Sequence, residues 1–138
     1  MLTEEINELL DALVKNVPGI KSIWLIGSRA NGTATPSSDW DFLIFGNYSV
    51  VELIRSSSEW YLDNIDLLVV TEGGKFTEPY GSGKSGDLIS WMWHREGPAT
   101  ATYQGSKCEL FNPDGDGFVG GKTPFITDTL KAVRVRGT

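Results

Sequence analysis

The sequence predicts an α+β fold in which helices and a mixed β-sheet form two layers. Amphipathic helical spacing runs over about residues 4–16, and a short apolar, partly β-branched run follows at Ser22–Ile26. A second apolar run begins at Asp39-Trp40-Asp41, and a third predicted strand, Ile65–Val70, comes after another helical pattern. A strand–helix–strand connection of this length fits a parallel crossover, whereas the later strands fit a hairpin.

The chain has the size and composition of one domain. It has 138 residues, of which 40% are hydrophobic and 22% are charged, which is ordinary for a globular protein with a real core. We expect a single domain over residues 1–138, with its motif core at about 20–70 and a strand-rich extension at about 87–138.

Charge and cysteine content exclude several classes of function. The net charge of −6 argues against a broad nucleic-acid surface, because phosphate backbones are bound by clustered Lys and Arg. No run approaches the roughly 18 apolar residues of a membrane span, and no targeting signal is visible, so we expect a cytoplasmic protein. Cys108 is the only cysteine, which rules out an internal disulfide and a zinc site built on several thiolates.

The flanking helices have recognisable signals. Thr3 is a plausible N-cap with acidic residues in the first turn, and Pro18-Gly19 ends that helix. After the second strand, Ser49 is the predicted cap of a helix that ends near Leu62.

Gly27-Ser28 ends the first strand in a way that suits an anion. A glycine lets the backbone approach a ligand closely, because it has no Cβ, and Ser28–Asn31 is able to turn into a short helix with outward N–H groups. Gly32 would stop that turn.

Two carboxylates, Asp39 and Asp41, follow at i and i+2. In a strand this spacing projects both from one face, where one divalent ion can bridge them, while Trp40 and Phe42 face the core. The alternative is that Asp39 caps a turn and Asp41 is merely exposed at a strand end.

The spaced motif Gly27-Ser28, ten residues, Asp39-Trp40-Asp41 resembles the signature of the nucleotidyltransferase superfamily with the polymerase-β-like fold. The run from Gly27 to Asp39 looks especially like the minimal nucleotidyltransferase branch. The resemblance covers about residues 20–70. It implies a mixed sheet with helices mainly on one face, a Ser that contacts nucleotide phosphates, paired Asp residues that hold two magnesium ions, and a third carboxylate on a neighbouring strand.

Asp66 is the candidate third carboxylate, because a parallel crossover brings it beside the Asp39/Asp41 strand. The site predicted on this basis has Asp39, Asp41 and Asp66 as metal ligands and catalytic groups, and Gly27, Ser28 and Arg29 around the nucleotide. Without the resemblance to the family, the favoured interpretation is that Asp66 is a solvated acid at the end of the strand that pairs with Lys or Arg.

The second half of the chain is predicted with weaker signals. Residues 71–87 hold five glycines and are expected to form a mobile loop, a possible lid, in which Lys75 and Lys84 either reach phosphates or are simply solvated. Residues 88–95 and 101–111 resemble two strands joined through Gly97-Pro98. Their aromatic side chains either pack in the core or stack a base: Trp91, Trp93 and Tyr103. Residues 123–138 are weakly patterned, with alternating basic residues between Lys131 and Arg136, and are expected to form an edge strand or a frayed tail.

Two functions are compatible with these features. The first is an enzyme that uses Mg²⁺ or Mn²⁺ to move a nucleoside monophosphate, AMP by family precedent, from a nucleoside triphosphate such as ATP to a hydroxyl of a small molecule or protein, releasing pyrophosphate. The second, implied by the resemblance, is an antitoxin that binds or AMPylates a helical ribonuclease-type toxin, or a weakly active nucleotide-binding module. A homo-oligomer is a further possibility.

Overall fold

A computed structural model describes residues 2–81, 85–106 and 127–137. The helices are α1 (Glu4–Asn16), α2 (Ser28–Asn31) and α3 (Tyr48–Arg55). The strands are β1 (Ile20–Ile26), β2 (Trp40–Gly46), β3 (Ile65–Val70), β4 (Lys75–Thr77), β5 (Ser85–Asp87), β6 (His94–Arg95), β7 (Thr100–Ser106) and β8 (Thr127–Gly137). Within the described residues these strands form one sheet in the order β5-β4-β3-β2-β1-β8-β7-β6.

The sheet is mixed because one ladder is parallel. β2 and β3 run parallel, as the predicted crossover requires, and the other strand pairs are antiparallel. The α+β class is therefore appropriate, although the sheet is larger than the motif core alone would need. Strands from the motif core and from the extension share it.

The two longer helices pack on the same face of the sheet. α1 begins at the predicted cap, where the Thr3 hydroxyl accepts from the Ile6 N–H at 3.1 Å. The apolar sides of α1 and α3 meet alternate residues of β2 in one buried cluster, which includes Leu10, Leu13, Trp40, Phe42, Ile44, Val50 and Ile54. The intervening β2 residues face the other way, as expected from strand alternation. The opposite face carries a second, aromatic-rich cluster that includes Trp24, Phe76, Leu88 and Tyr103.

The third helix begins and ends earlier than predicted. Its cap is Asn47, whose side chain accepts from the Ser49 N–H at 3.1 Å, so Ser49 lies inside the first turn. The helix ends at Arg55, and a separate 3₁₀ turn follows at Ser58–Trp60. The Ser57 side chain caps that turn, because serines compete with the helical backbone for hydrogen bonds.

The prediction of an irregular loop at 71–87 is wrong over much of its length. β4 and β5 extend the sheet beyond β3. Gly73 and Gly74 adopt positive φ in the tight turn that returns the chain onto β3. At Gly86 an added Cβ would stand 2.8 Å from the Phe76 ring, so this glycine permits close strand packing. Lys84 lies outside the described residues.

The described residues that follow β5 also differ from expectation. Residues 88–92 form a turn in which Met92 has φ 57°, and only β6 remains of the strand predicted at 88–95. The hairpin through Gly97-Pro98 is present, since β6 pairs with β7. The end of the second predicted strand, 107–111, lies outside the described residues.

β8 is an interior strand, so the prediction of an edge strand or a tail is wrong over residues 127–137. Residues 123–126 and 138 lie outside the described residues. β8 pairs with β1 on one side and β7 on the other. The alternating basic residues of β8 suggested a solvent-exposed strand, but Ala132 between them is buried. The Arg136 guanidinium donates to the side chains of Asp11 and Asn7 on α1, at 2.9 Å each. No helix in the described parts of the chain has the length and apolar character to cross a membrane.

Candidate active site

Asp41 and Asp66 lie side by side on the face of the sheet opposite α1 and α3. They are Cα partners in the parallel β2–β3 ladder, so their side chains project in the same direction. Neighbouring strands are about 4.8 Å apart, which places two carboxylates within reach of a common cation. Both residues are partly exposed and line one cavity.

The backbone of Gly27 packs directly against Asp41. Gly27 follows β1 with φ 75° and ψ −160°, a conformation that side-chain-bearing residues rarely adopt. A Cβ built on this residue would stand 2.5 Å from Asp41 Oδ2. The turn at Gly27-Ser28 and the carboxylate therefore meet only because residue 27 has no side chain.

Both backbone polar groups of Gly27 are held by other parts of the site. Its N–H donates to the Tyr103 hydroxyl on β7 at 2.9 Å. Its carbonyl accepts from the Asn31 side-chain amide at 2.8 Å. That amide also exchanges two hydrogen bonds with the Lys131 backbone on β8, at 2.8 and 3.1 Å. The extension thus fixes the conformation of the turn.

The pKa of the Tyr103 phenol is raised above its ordinary value. Burial is the main cause that raises the pKa of its phenol, and the nearby charge of Asp41 raises it further. Hydrogen bonds from Gly27 and Asn31 act in the opposite direction. A neutral hydroxyl beside Asp41 adds no second negative charge to the site.

Arg29 contacts the loop that leads to Asp39. Its guanidinium donates to the carbonyls of Ser38 at 2.8 Å and Pro36 at 3.4 Å, and it stacks over Trp40 with 4.3 Å to the ring centroid. Arg29 Nε is buried without a hydrogen-bond partner. Direct contact between Arg29 and a nucleotide stays a prediction, and the contacts observed here tie α2 to the start of β2.

Asp39 does not join Asp41 and Asp66 in a ready three-carboxylate cluster. β2 begins at Trp40, so Asp39 is an exposed residue of the preceding loop and is outside the regular alternation of the strand. Among the described residues, no group of three His, Cys, Asp or Glu side chains is arranged to hold a metal. The Asp41/Asp66 pair offers the hard oxygen donors that Mg²⁺ prefers, and the role of Asp39 as a third ligand stays a prediction.

A cavity of about 370 Å³ opens beside the carboxylate pair. Asp41 and Asp66 form part of its wall, and Phe76, Ser85 and Trp91 form another part. The Phe76 and Trp91 rings contact each other with centroids 4.8 Å apart. Phe76 in this position has no sequence signal, because it depends on the pairing of β4 with β3.

The predicted aromatic residues divide between core and cavity. Trp91 lines the cavity, whereas Trp93 packs with its ring centroid 5.4 Å from that of Trp24 and 6.3 Å from that of Tyr103. Lys75 is exposed on β4 opposite Asp87 in the register.

Residues 6–70 match the family model of the nucleotidyltransferase domain. No match was found among curated proteins or among solved structures. The matched segment contains Gly27, Ser28, Asp39, Asp41 and Asp66, and ends with β3. This match supports the nucleotidyltransferase superfamily for that segment, in agreement with the resemblance of the motif. A domain of this kind supports nucleotidyl transfer in general as the class of reaction, with a nucleotide as substrate.

Proposed function

We propose that this protein is a metal-dependent nucleotidyltransferase that moves a nucleoside monophosphate, with AMP the first candidate, from a nucleoside triphosphate to a hydroxyl acceptor. The observation that carries the proposal is the adjacency of three features: the Gly27-Ser28 turn, the Asp41 carboxylate against it, and Asp66 beside Asp41. The family match to residues 6–70 supports the same class of reaction.

The turn after β1 is the part of the site that binds the nucleotide phosphates in this proposal. Gly27 gives the phosphates close access to the backbone, and Ser28 supplies its N–H and hydroxyl to the β- and γ-phosphates. Because the Gly27 N–H already donates to Tyr103, it is not the donor to the nucleotide. Arg29 would contribute by steadying the loop before Asp39.

Asp41 and Asp66, with Asp39 from the loop, would hold Mg²⁺ or Mn²⁺. When bound, a divalent ion neutralises phosphate charge and lowers the pKa of an acceptor hydroxyl. Asp66 accepts the proton of the acceptor hydroxyl while the hydroxyl oxygen forms its bond to the α-phosphorus. The bond from the α-phosphorus to the bridging oxygen of the β-phosphate breaks, and pyrophosphate leaves on the Gly27-Ser28 side.

The cavity favours a small molecule, and not a protein side chain, as the acceptor of the nucleoside monophosphate. In-line displacement requires the acceptor and the leaving pyrophosphate on opposite sides of the α-phosphorus. With the phosphate turn on the β1 side of Asp41, the acceptor side is that of Asp66, where Phe76 and Trp91 form an aromatic wall. A cavity of about 370 Å³ is in the range of small-molecule sites. Within the part of the chain that the structure describes, the antitoxin alternative has no comparable feature in its favour.

Isothermal titration of ATP into the protein, with Mg²⁺ and with excess chelator, tests the proposal. Binding that requires the metal is expected, because an acidic pocket repels a triphosphate without a bridging cation. ATP that binds equally tightly in chelator would overturn the metal-bridged site. Titrations of GTP, CTP and UTP under the same conditions identify the base.

A further inference from the structure

We propose that Tyr103 is a positioning residue that holds the Gly27-Ser28 turn in the conformation that receives the triphosphate. Tyr103 lies on β7, beyond the segment that matches the family model, so the assignment adds a residue of the extension to the site. The expected effect on nucleotide binding rests on the proposed function. The structural basis is the hydrogen bond between the Gly27 N–H and the Tyr103 hydroxyl.

The Tyr103 hydroxyl is fixed before any ligand arrives. The residue is 5% exposed, and its ring packs against Trp91 and Trp93 with centroids 5.5 and 6.3 Å away. A ring held in this way keeps its hydroxyl in one place, because a tyrosine has few rotatable bonds. The hydroxyl oxygen accepts the Gly27 N–H at 2.9 Å.

That hydrogen bond acts on the residue with the least conformational restraint in the turn. Glycine populates many backbone conformations, and Gly27 must stay at φ 75° to keep its backbone against Asp41. Tyr103 restrains its N–H while Asn31, itself bound to the Lys131 backbone, restrains its carbonyl. The two contacts together preorganise the turn, which lowers the entropic cost of binding phosphates there.

Tyr103→Phe isolates this contact, because the ring and its packing are kept and only the hydroxyl is lost. Loss of one net hydrogen bond predicts Mg²⁺-dependent ATP affinity about three- to tenfold weaker. In transfer assays the effect falls mainly on KM for the nucleotide and less on kcat, since the acceptor side is untouched. Tyr48→Phe, at a tyrosine that is 54% exposed on α3, is the matched control and leaves both values unchanged.

Hydrogen exchange of the Gly27 amide tests the contact itself without any nucleotide. In Tyr103→Phe we expect this amide to exchange about tenfold faster, while amides in the β2–β3 ladder keep their protection. Asn31→Ala provides a second variant and should weaken ATP affinity in the same direction. Unchanged Gly27 exchange, or wild-type ATP affinity in Tyr103→Phe, overturns the positioning role. Wild-type protein that binds no nucleotide instead overturns the proposed function, and the exchange result still decides whether Tyr103 holds the turn.

Discussion

Asp41 and Asp66 are register partners on adjacent parallel strands, and both face away from the helices. On the other side of Asp41 stands the backbone of Gly27, close enough that a methyl group at residue 27 would meet the carboxylate. The candidate site is therefore one row of groups across the ends of β1, β2 and β3. Each member of that row allows a substitution with a distinct expected result.

Gly27→Ala should abolish nucleotide binding. The added Cβ would stand 2.5 Å from Asp41 Oδ2, so Asp41 or the turn must move. Gly32→Ala is the control for a positive φ, because Gly32 has nearly the same φ of 74° but a left-handed helical ψ of 14° and no atom within 4 Å of the added Cβ. Both variants carry backbone strain, which is of order 1 kcal/mol at Gly32 and about 1–3 kcal/mol at Gly27, whose ψ of −160° lies in a region essentially confined to glycine. Only the first should lose ATP affinity in calorimetry. Equal loss in both variants would show that strain in the backbone, and not contact with Asp41, is what matters at residue 27.

Trp40→Ala and Asp41→Asn should separate the core from the site. Trp40 is buried against the helices, and truncation of a buried aromatic residue costs about 3–5 kcal/mol, which rivals the stability of a small domain. Asp41→Asn removes one of two adjacent negative charges and should leave the melting temperature of the metal-free protein equal or higher. Thermal unfolding in chelator measures both. A large loss of stability in Asp41→Asn would indicate that Asp41 has a structural role.

Arg29→Met distinguishes a loop contact from a phosphate contact. The substitution keeps an apolar side chain near Trp40 but removes the hydrogen bonds to the Ser38 and Pro36 carbonyls. The loop before Asp39 should become looser, and Mn²⁺ affinity measured without nucleotide should fall by a few-fold. If Mn²⁺ affinity is unchanged and only ATP affinity falls, Arg29 binds the phosphates, as its place in the motif suggests.

The stability of the protein should decrease in alkaline solution partly through Tyr80. Burial, and then the charges of Glu78 and Glu59, raise the pKa of Tyr80 to about 12, whereas an unfolded tyrosine titrates near 10. A raised folded-state pKa contributes stability that is complete below about pH 10 and is lost as the pH rises towards about 12. Tyr80 is only partly buried, so solvent screening makes the contribution small.

Tyr80→Phe is the variant that reports on this titration. It loses the hydrogen bond from the hydroxyl to the Ser57 carbonyl at 3.0 Å and should be less stable than the wild type at neutral pH. The difference between the two proteins should shrink between about pH 10 and 12 in denaturant titrations. A difference that stays constant across that range would mean that Tyr80 titrates normally.

The motif segment was predictable because its signals are local. Helical periodicity predicted α1, and apolar runs predicted β1 to β3. The length of the crossover predicted the parallel pairing of β2 with β3, which brings Asp66 beside Asp41. The position of Asp39 was harder to predict. A spacing of i and i+2 implies a shared face only within a strand, and β2 begins one residue after Asp39.

The residues after β3 were less predictable because their structure depends on contacts between distant residues. Glycine content suggested a loop at 71–87, yet Gly86 is required by the Phe76 ring on the paired strand. The alternating basic residues of β8 suggested an edge strand, yet β8 pairs with β7 on the side that an edge strand would leave open. The hydrogen bond between Tyr103 and Gly27 joins residues 76 positions apart, and no local pattern reports such a contact.

Pyrophosphate release measured beside ATP affinity, for wild type, Asp66→Asn and Asp41→Asn, tests the central claim most directly. A screen of hydroxyl-bearing small molecules supplies the acceptor. Asp66→Asn should largely keep Mg²⁺-dependent ATP binding while transfer falls by about 10²- to 10⁴-fold, because Asp66 acts on the acceptor hydroxyl. Asp41→Asn should weaken both, because Asp41 lies between the phosphate turn and Asp66. Transfer at the wild-type rate in Asp66→Asn would contradict the account.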